Sequence, residues 1–166
     1  MPLPSTYIPI QSITLGSATA TVSFYNIPQT YTDLVIVSVF GATTGMDIAI
    51  RFNSDSSSLN YGTVRMWANG TSGPASNRTN ESGIMPRTNV NQTSGALSCI
   101  LKTNVMSYTN TTTYKAVVGR YDFPAQTEQH AGTWYSTAAI NQIDLVAISN
   151  TFVAGSTFIL YGIKAA

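Results

Sequence analysis

The chain has 166 residues, a net charge of +1 and only 9% Asp, Glu, Lys and Arg, where an ordinary soluble domain carries about a quarter. Its 43% apolar content excludes a wholly disordered chain, and the lack of a basic stripe excludes the electrostatic footprint of a nucleic-acid binder. One histidine, one cysteine and seven scattered carboxylates leave little for acid–base or metal chemistry, so the residues point to a structural or binding module with no cofactor, not to an enzyme.

Residues 1–10 contain Pro2, Pro4 and Pro9 and cannot form a central strand, because proline gives no ladder donor. They read either as an extended arm that lays Leu3, Tyr7, Ile8 and Ile10 on a neighbouring subunit or capsid surface, or as an edge strand. Residues 11–166 read as one domain. The opening lacks the basic and apolar regions of a signal peptide. No apolar run approaches the ~20 residues that cross a bilayer as a helix. The expectation is synthesis in a cytoplasm with no membrane stage.

Residues 19–24 alternate, with Ala20, Val22 and Phe24 on one face, and Pro28 follows as a breaker. Residues 34–40 are apolar on both faces and predict a central strand covered on both sides. Residues 46–52 alternate with Met46, Ile48, Ile50 and Phe52 inward. Asn53-Ser54-Asp55 offers too few oxygens for calcium and reads as a side-chain-stabilised turn. A strand over 61–67 ends at the turn dipeptide Asn69-Gly70.

Residues 69–95 are polar throughout most of their length and read as a long loop and a contact surface. Tyr61, Trp67, Asn69 and Arg78 are its candidate contacts, for a receptor, a glycan or a protein partner. Strands follow at 97–102, 105–108 and 113–120, the last with Tyr114, Ala116 and Val118 on one face. Cys99 reads as a small buried hydrophobe. Residues 122–130 have room for one turn of helix, and His130 reads as a surface-loop residue, not a catalytic base. Asp47 and Asp144 are a carboxylate pair that would meet only across a sheet; a glycosidase needs its two about 5–10 Å apart. Strands at 132–137, 143–149 and 157–163 close the chain around a turn at Ala154-Gly155. Short strands with regular turn signals predict an all-β, two-sheet antiparallel β-sandwich, with a jelly roll the preferred topology.

Several stretches carry a resemblance. They are Tyr7-Ile8-Pro9-Ile10, Ile13-Thr14-Leu15-Gly16-Ser17-Ala18, Ile27-Pro28-Gln29-Thr30-Tyr31-Thr32-Asp33-Leu34, Ile50-Arg51-Phe52-Asn53, Asn60-Tyr61 and the ending Leu160-Tyr161-Gly162-Ile163-Lys164-Ala165-Ala166. Together they resemble small β-rich virion structural proteins of tailed bacteriophages, cyanophages among them. The resemblance implies an accessory structural role: a capsid decoration (cement) protein that binds the major capsid protein and stabilises the head lattice, or else a head-fibre, tail-fibre or baseplate component with a carbohydrate-binding sandwich. It implies location on the virion and a homo-oligomer, with a homotrimer favoured by the local symmetry axes that such proteins occupy. It transfers no catalytic residues.

Overall fold

The computed structural model describes residues 6–42, 46–73, 75–87, 95–124 and 126–164, with the backbone alone for 76–80 and 87. Among these residues the short alternating runs form strands and no helix. The strands are β1 (Tyr7–Thr14), β2 (Thr21–Phe24), β3 (Asp33–Phe40), β4 (Asp47–Phe52), β5 (Tyr61–Ala68), β6 (Ala75–Glu81), β7 (Ile84–Arg87), β8 (Cys99–Met106), β9 (Lys115–Phe123), β10 (Gln126–Trp134), β11 (Ile143–Ile148) and β12 (Thr157–Ile163). They build two antiparallel sheets, an eight-stranded one in the order β1-β12-β3-β8-β9-β10-β5-β6 and a four-stranded one in the order β2-β11-β4-β7.

The core lies between the sheets. From the small sheet come Val22, Phe24, Ile48, Ile50, Phe52, Ile143 and Leu145; from the large one come Leu34, Ile36, Phe40, Leu101, Tyr121 and Phe158. Phe40, Phe152 and Phe158 form an aromatic knot, with Phe40 against Phe152 edge-on at 5.3 Å and stacked with Phe158 at 6.0 Å. Met46, Ile48, Ile50 and Phe52 are all buried, as the alternation requires. Cys99 is buried, with its sulfur 2.6 Å from the Tyr121 hydroxyl.

Tyr7, Ile8 and Ile10 lie in β1, the edge strand of the large sheet, while Leu3 falls outside the described residues. The ladder with β12 shifts register between Pro9 and Gln11, a bulge that absorbs the missing proline donor. Tyr7 stands opposite Ile163, so the two ends of the described chain are hydrogen-bonded neighbours.

The structure corrects several expectations. Ala20 is exposed, because β2 begins only at Thr21. β3 is central, but its outer face is not covered throughout: Val39 is 42% exposed. Residues 69–95 are not one loop. Asn69 and Gly70 turn the chain into β6, which pairs with β5, and β7 joins the small sheet. Gly70 holds φ at +85°, the left-handed conformation such a turn needs. The two short strands expected at 97–102 and 105–108 are one, β8. Residues 122–130 are not helical but form the β9–β10 hairpin, with Thr127 opposite Asp122.

Candidate functional site

The outer face of the eight-stranded sheet is the most unusual surface of the molecule. In β5 the polar residues Thr63 and Arg65 point inward and are buried, while Val64 and Met66 point outward and are 53% and 59% exposed. β10 also buries polar groups, Glu128 and His130, but its outward side is mixed, with Thr127, Gln129 and Ala131. In this half of the sheet the usual apolar-in, polar-out arrangement is reversed at Arg65, Glu128 and His130.

Register assembles the outer residues into rows. Val35, Asn104, Val118, Ala131 and Val64 stand side by side across β3, β8, β9, β10 and β5. The next row holds Val37, Lys102, Arg120, Gln129 and Met66, and the one beyond it Val39, Ile100, Asp122, Thr127 and Ala68. Ile100, Met106 and Val118 are exposed. Two shallow depressions open here. One of about 390 Å³ lies among Ile100, Lys102, Asn104, Val118, Arg120 and Asp122. The other, about 440 Å³, is bordered by Val64, Met106, Ala116, Ala131 and Tyr135. Charge is sparse: Lys102 stands opposite Arg120, Arg120 Nε lies 2.6 Å from Asp122 Oδ2, and the Lys102 ammonium sits 5.8 Å from the centre of the Tyr7 ring. At one end Tyr114 and Tyr135, both exposed, meet edge-on at 5.8 Å.

Beneath this face lies a buried polar layer. Arg65 Nη1 is 3.7 Å from Glu128 Oε2, and Gln126 Nε2 donates to Glu128 Oε1 at 2.6 Å. His130 is not on a surface loop. Its ring lies over Gly119, where any side chain would collide with it, and its Nε2 is 3.2 Å from Thr103 Oγ1. Burial, with a smaller contribution from the Arg65 guanidinium, lowers the His130 pKa to about 4, so the ring is neutral near pH 7. The depressions at Ile100 and at Met106 on the outer face are lined by neither Glu128 nor His130. Lys115 is likewise buried, its ammonium donating to the carbonyls of Thr113 and Thr137, and burial lowers its pKa.

The candidate contacts read from the sequence scatter. Tyr61 is a core residue: its ring stacks on Trp134, and its hydroxyl accepts from Phe52 N–H and donates to the Asp55 carbonyl. Burial pushes its hydroxyl well above the usual tyrosine range. Trp67 is half-buried and borders a third depression, about 310 Å³, with Met66, Ala68, Gly73, Thr127 and Gln129. Asn69 is exposed, but its side-chain oxygen accepts from Thr71 and Ser72 and holds the turn. Arg78 lies in β6 opposite Thr63, and its side chain falls outside the described ones. Tyr7 reaches the outer face; Ile8 is half-buried, and Ile10 packs against the core.

Asn53 and Asp55 work as turn residues. Asn53 donates to the Ala139 carbonyl and accepts from Asn141 and Gln142 N–H groups, and Asp55 accepts from Ser57, Asn60 and Trp134. Asp47 and Asp144 share a face but stand opposite Ile148 and Arg51, four residues apart along the strands. That is roughly 13 Å, too far for paired carboxylate chemistry. Among the described residues no three His, Cys, Asp or Glu side chains gather into a metal-binding group.

Val64, Met66, Ile100 and Met106 were not among the sequence candidates. The signal was the strict alternation of Val64 and Met66 with Thr63 and Arg65, which by itself reads in the opposite sense, apolar side inward. No protein-family model matches the chain, and no curated protein matches it in sequence.

Proposed function

We propose that this chain is a non-enzymatic structural protein of a tailed-bacteriophage virion, and specifically a capsid decoration protein that binds and reinforces the head lattice. The observation that carries the reading is the outer face of the large sheet, where Val64, Met66, Ile100, Met106 and Val118 are exposed above the buried Arg65–Glu128 pair. Burying apolar surface is worth about 25 cal/mol per Å². A face of this kind therefore favours occupation by protein, and repetition over a lattice multiplies each modest contact. The sparse charge of the sequence and its resemblance to virion proteins support the same role.

We also propose that the sandwich is a jelly roll carrying two additions, β5–β6 and β9–β10. Setting those four strands aside leaves β1-β12-β3-β8 in one sheet and β2-β11-β4-β7 in the other. The pairs β1 with β12, β2 with β11, β3 with β8 and β4 with β7 then nest first with last, as in a long hairpin wrapped into two layers.

The test is occupancy on particles. Purified protein added to heads that lack it should co-sediment and appear at fixed lattice positions in an image reconstruction; V64E, which charges the outer face, should reduce occupancy. Density at the tail instead would move the assignment to a fibre or baseplate. The depression beside Trp67 supports that second reading, a glycan-binding sandwich. Binding on an array of host polysaccharides that is lost in W67A would favour it.

A further inference from the structure

We propose that the depression of about 390 Å³ on β8 and β9 is a socket for one acidic side chain, a glutamate or aspartate of the capsid lattice. This rests on the decoration reading, which supplies the lattice as the partner.

Register builds the socket from neighbouring side chains. β8 gives Ile100, Lys102 and Asn104, and β9 gives Val118, Arg120 and Asp122. Lys102 stands opposite Arg120, Ile100 opposite Asp122, and Asn104 opposite Val118. Like charges directly opposite each other on adjacent strands repel and weaken a sheet. Asp122 answers only one of the two cations, with its Oδ2 2.6 Å from Arg120 Nε. The Lys102 ammonium lies beside a neutral group, 5.8 Å from the centre of the Tyr7 ring. Asn104 Oδ1 is buried without a hydrogen-bond donor, so no bond to that atom locks the amide, and its NH2 group can turn to an acceptor. A carboxylate seated between Lys102 and Arg120 converts a repelling pair into an attracting set of three.

Docking itself makes the carboxylate necessary. Both larger depressions of this face share Val118, so a protein seated on the apolar rows also covers the socket. Covering strips water from Lys102 and Arg120, and a buried charge without a partner is strongly unfavourable. The partner must therefore bring a negative charge to this spot, which fixes where it docks and which surfaces it rejects. Ile100 and Val118 stand at opposite corners and are 49% and 44% exposed, so they offer apolar surface to the aliphatic stem of the incoming residue. Once enclosed, such a pair is screened little by salt.

Two measurements on the full chain separate the socket from the reading it rests on. In the first, isotope-labelled protein is followed by amide NMR during titration with N-acetyl-glutamate amide to millimolar concentration, with N-acetyl-glutamine amide as the uncharged control. Backbone amides at 100–104 and 118–122 should shift with the glutamate, stay still with the glutamine, and stop responding in K102M. In the second, heads that lack the protein are titrated with wild type, K102M and K102R. K102M should bind heads roughly thirtyfold more weakly or worse, and K102R should keep most of the affinity. The K102M melting temperature should stay close to that of wild type, because relief of the like-charge pair offsets the lost Tyr7 contact. A merely structural lysine would lower it.

K102M that binds heads as tightly as wild type overturns the socket and keeps the decoration reading. Glutamate that shifts no amide there, or glutamine that shifts them equally, also overturns the socket. Glutamate seated in the socket of a chain that ignores heads removes the decoration reading and, with it, the lattice as the source of the carboxylate. Glucuronate that shifts the same amides at lower concentration than the glutamate would overturn that source too, in favour of an acidic host polysaccharide.

Discussion

His130 and Gly119 act as a unit. A Cβ on Gly119 would lie 2.5 Å from the Lys102 carbonyl oxygen and 2.6 Å from the imidazole ring. G119A is therefore expected to destabilise the fold by roughly 2 kcal/mol, within the range for overpacking, and a thermal melt reads it as a drop of roughly 4–8 °C. G119A/H130A should recover part of that loss, because only the carbonyl contact remains. The same histidine sets a pH dependence. Its pKa of about 4 in the fold lies below the ordinary histidine value of 6.5, so the unfolded chain binds the extra proton first and stability falls as pH drops from about 6.5 to about 4. The loss is at most about 3 kcal/mol. Around the ring stand Arg65 from β5, Thr103 from β8, Gly119 from β9 and Glu128 along β10. Urea titrations of wild type and H130Q at several pH values check this, and H130Q should flatten the slope over that interval. None of it was legible in the sequence. The pocket for the ring is made by Gly119 on β9 and Thr103 on β8, and only strand register shows that these residues meet His130.

At the scale of elements, local pattern served well where a strand has one apolar side and an apolar partner layer. β2, β4, β11 and β12 follow their alternation, and the central position of β3 was readable from its apolar run. It failed at β6, whose Ser76, Asn77, Arg78 and Asn80 have little intrinsic strand preference. β6 is a strand because β5 offers it a free edge, which is a tertiary cause. It failed again at β5, whose polarity runs opposite to the usual direction, and at β10, which is polar on both sides. The borders of the large sheet differ in kind: β6 is polar, and β1 carries Pro9 and a bulge. Both are devices that discourage further strand pairing. Removing residues 1–9 should strip three ladder positions from β12 and bare the edge of Tyr161-Gly162-Ile163. The truncated chain is expected to keep its β-sheet circular dichroism while melting earlier and scattering light at concentrations where the full chain stays clear.

At the scale of the whole molecule charge is scarce, and among the described residues Val39, Val64, Met66, Ile100, Met106 and Val118 are all exposed on one side of one sheet. Association through such a face should hold or tighten as sodium chloride is raised, since screening acts on charges and not on apolar contacts. Sedimentation at low and high salt measures this, and a steep loss at high salt would point to an interface built on charge. The pairing of Tyr7 with Ile163 has a further consequence. Because the first and last strands run alongside each other, a short peptide bridge could close the polypeptide into a ring, and new ends could be opened in a solvent-facing connection such as the bend around Ser57. Chain or cargo joined before Tyr7 and after Ile163 would leave the sheet side by side, at its margin and away from the rows at its centre.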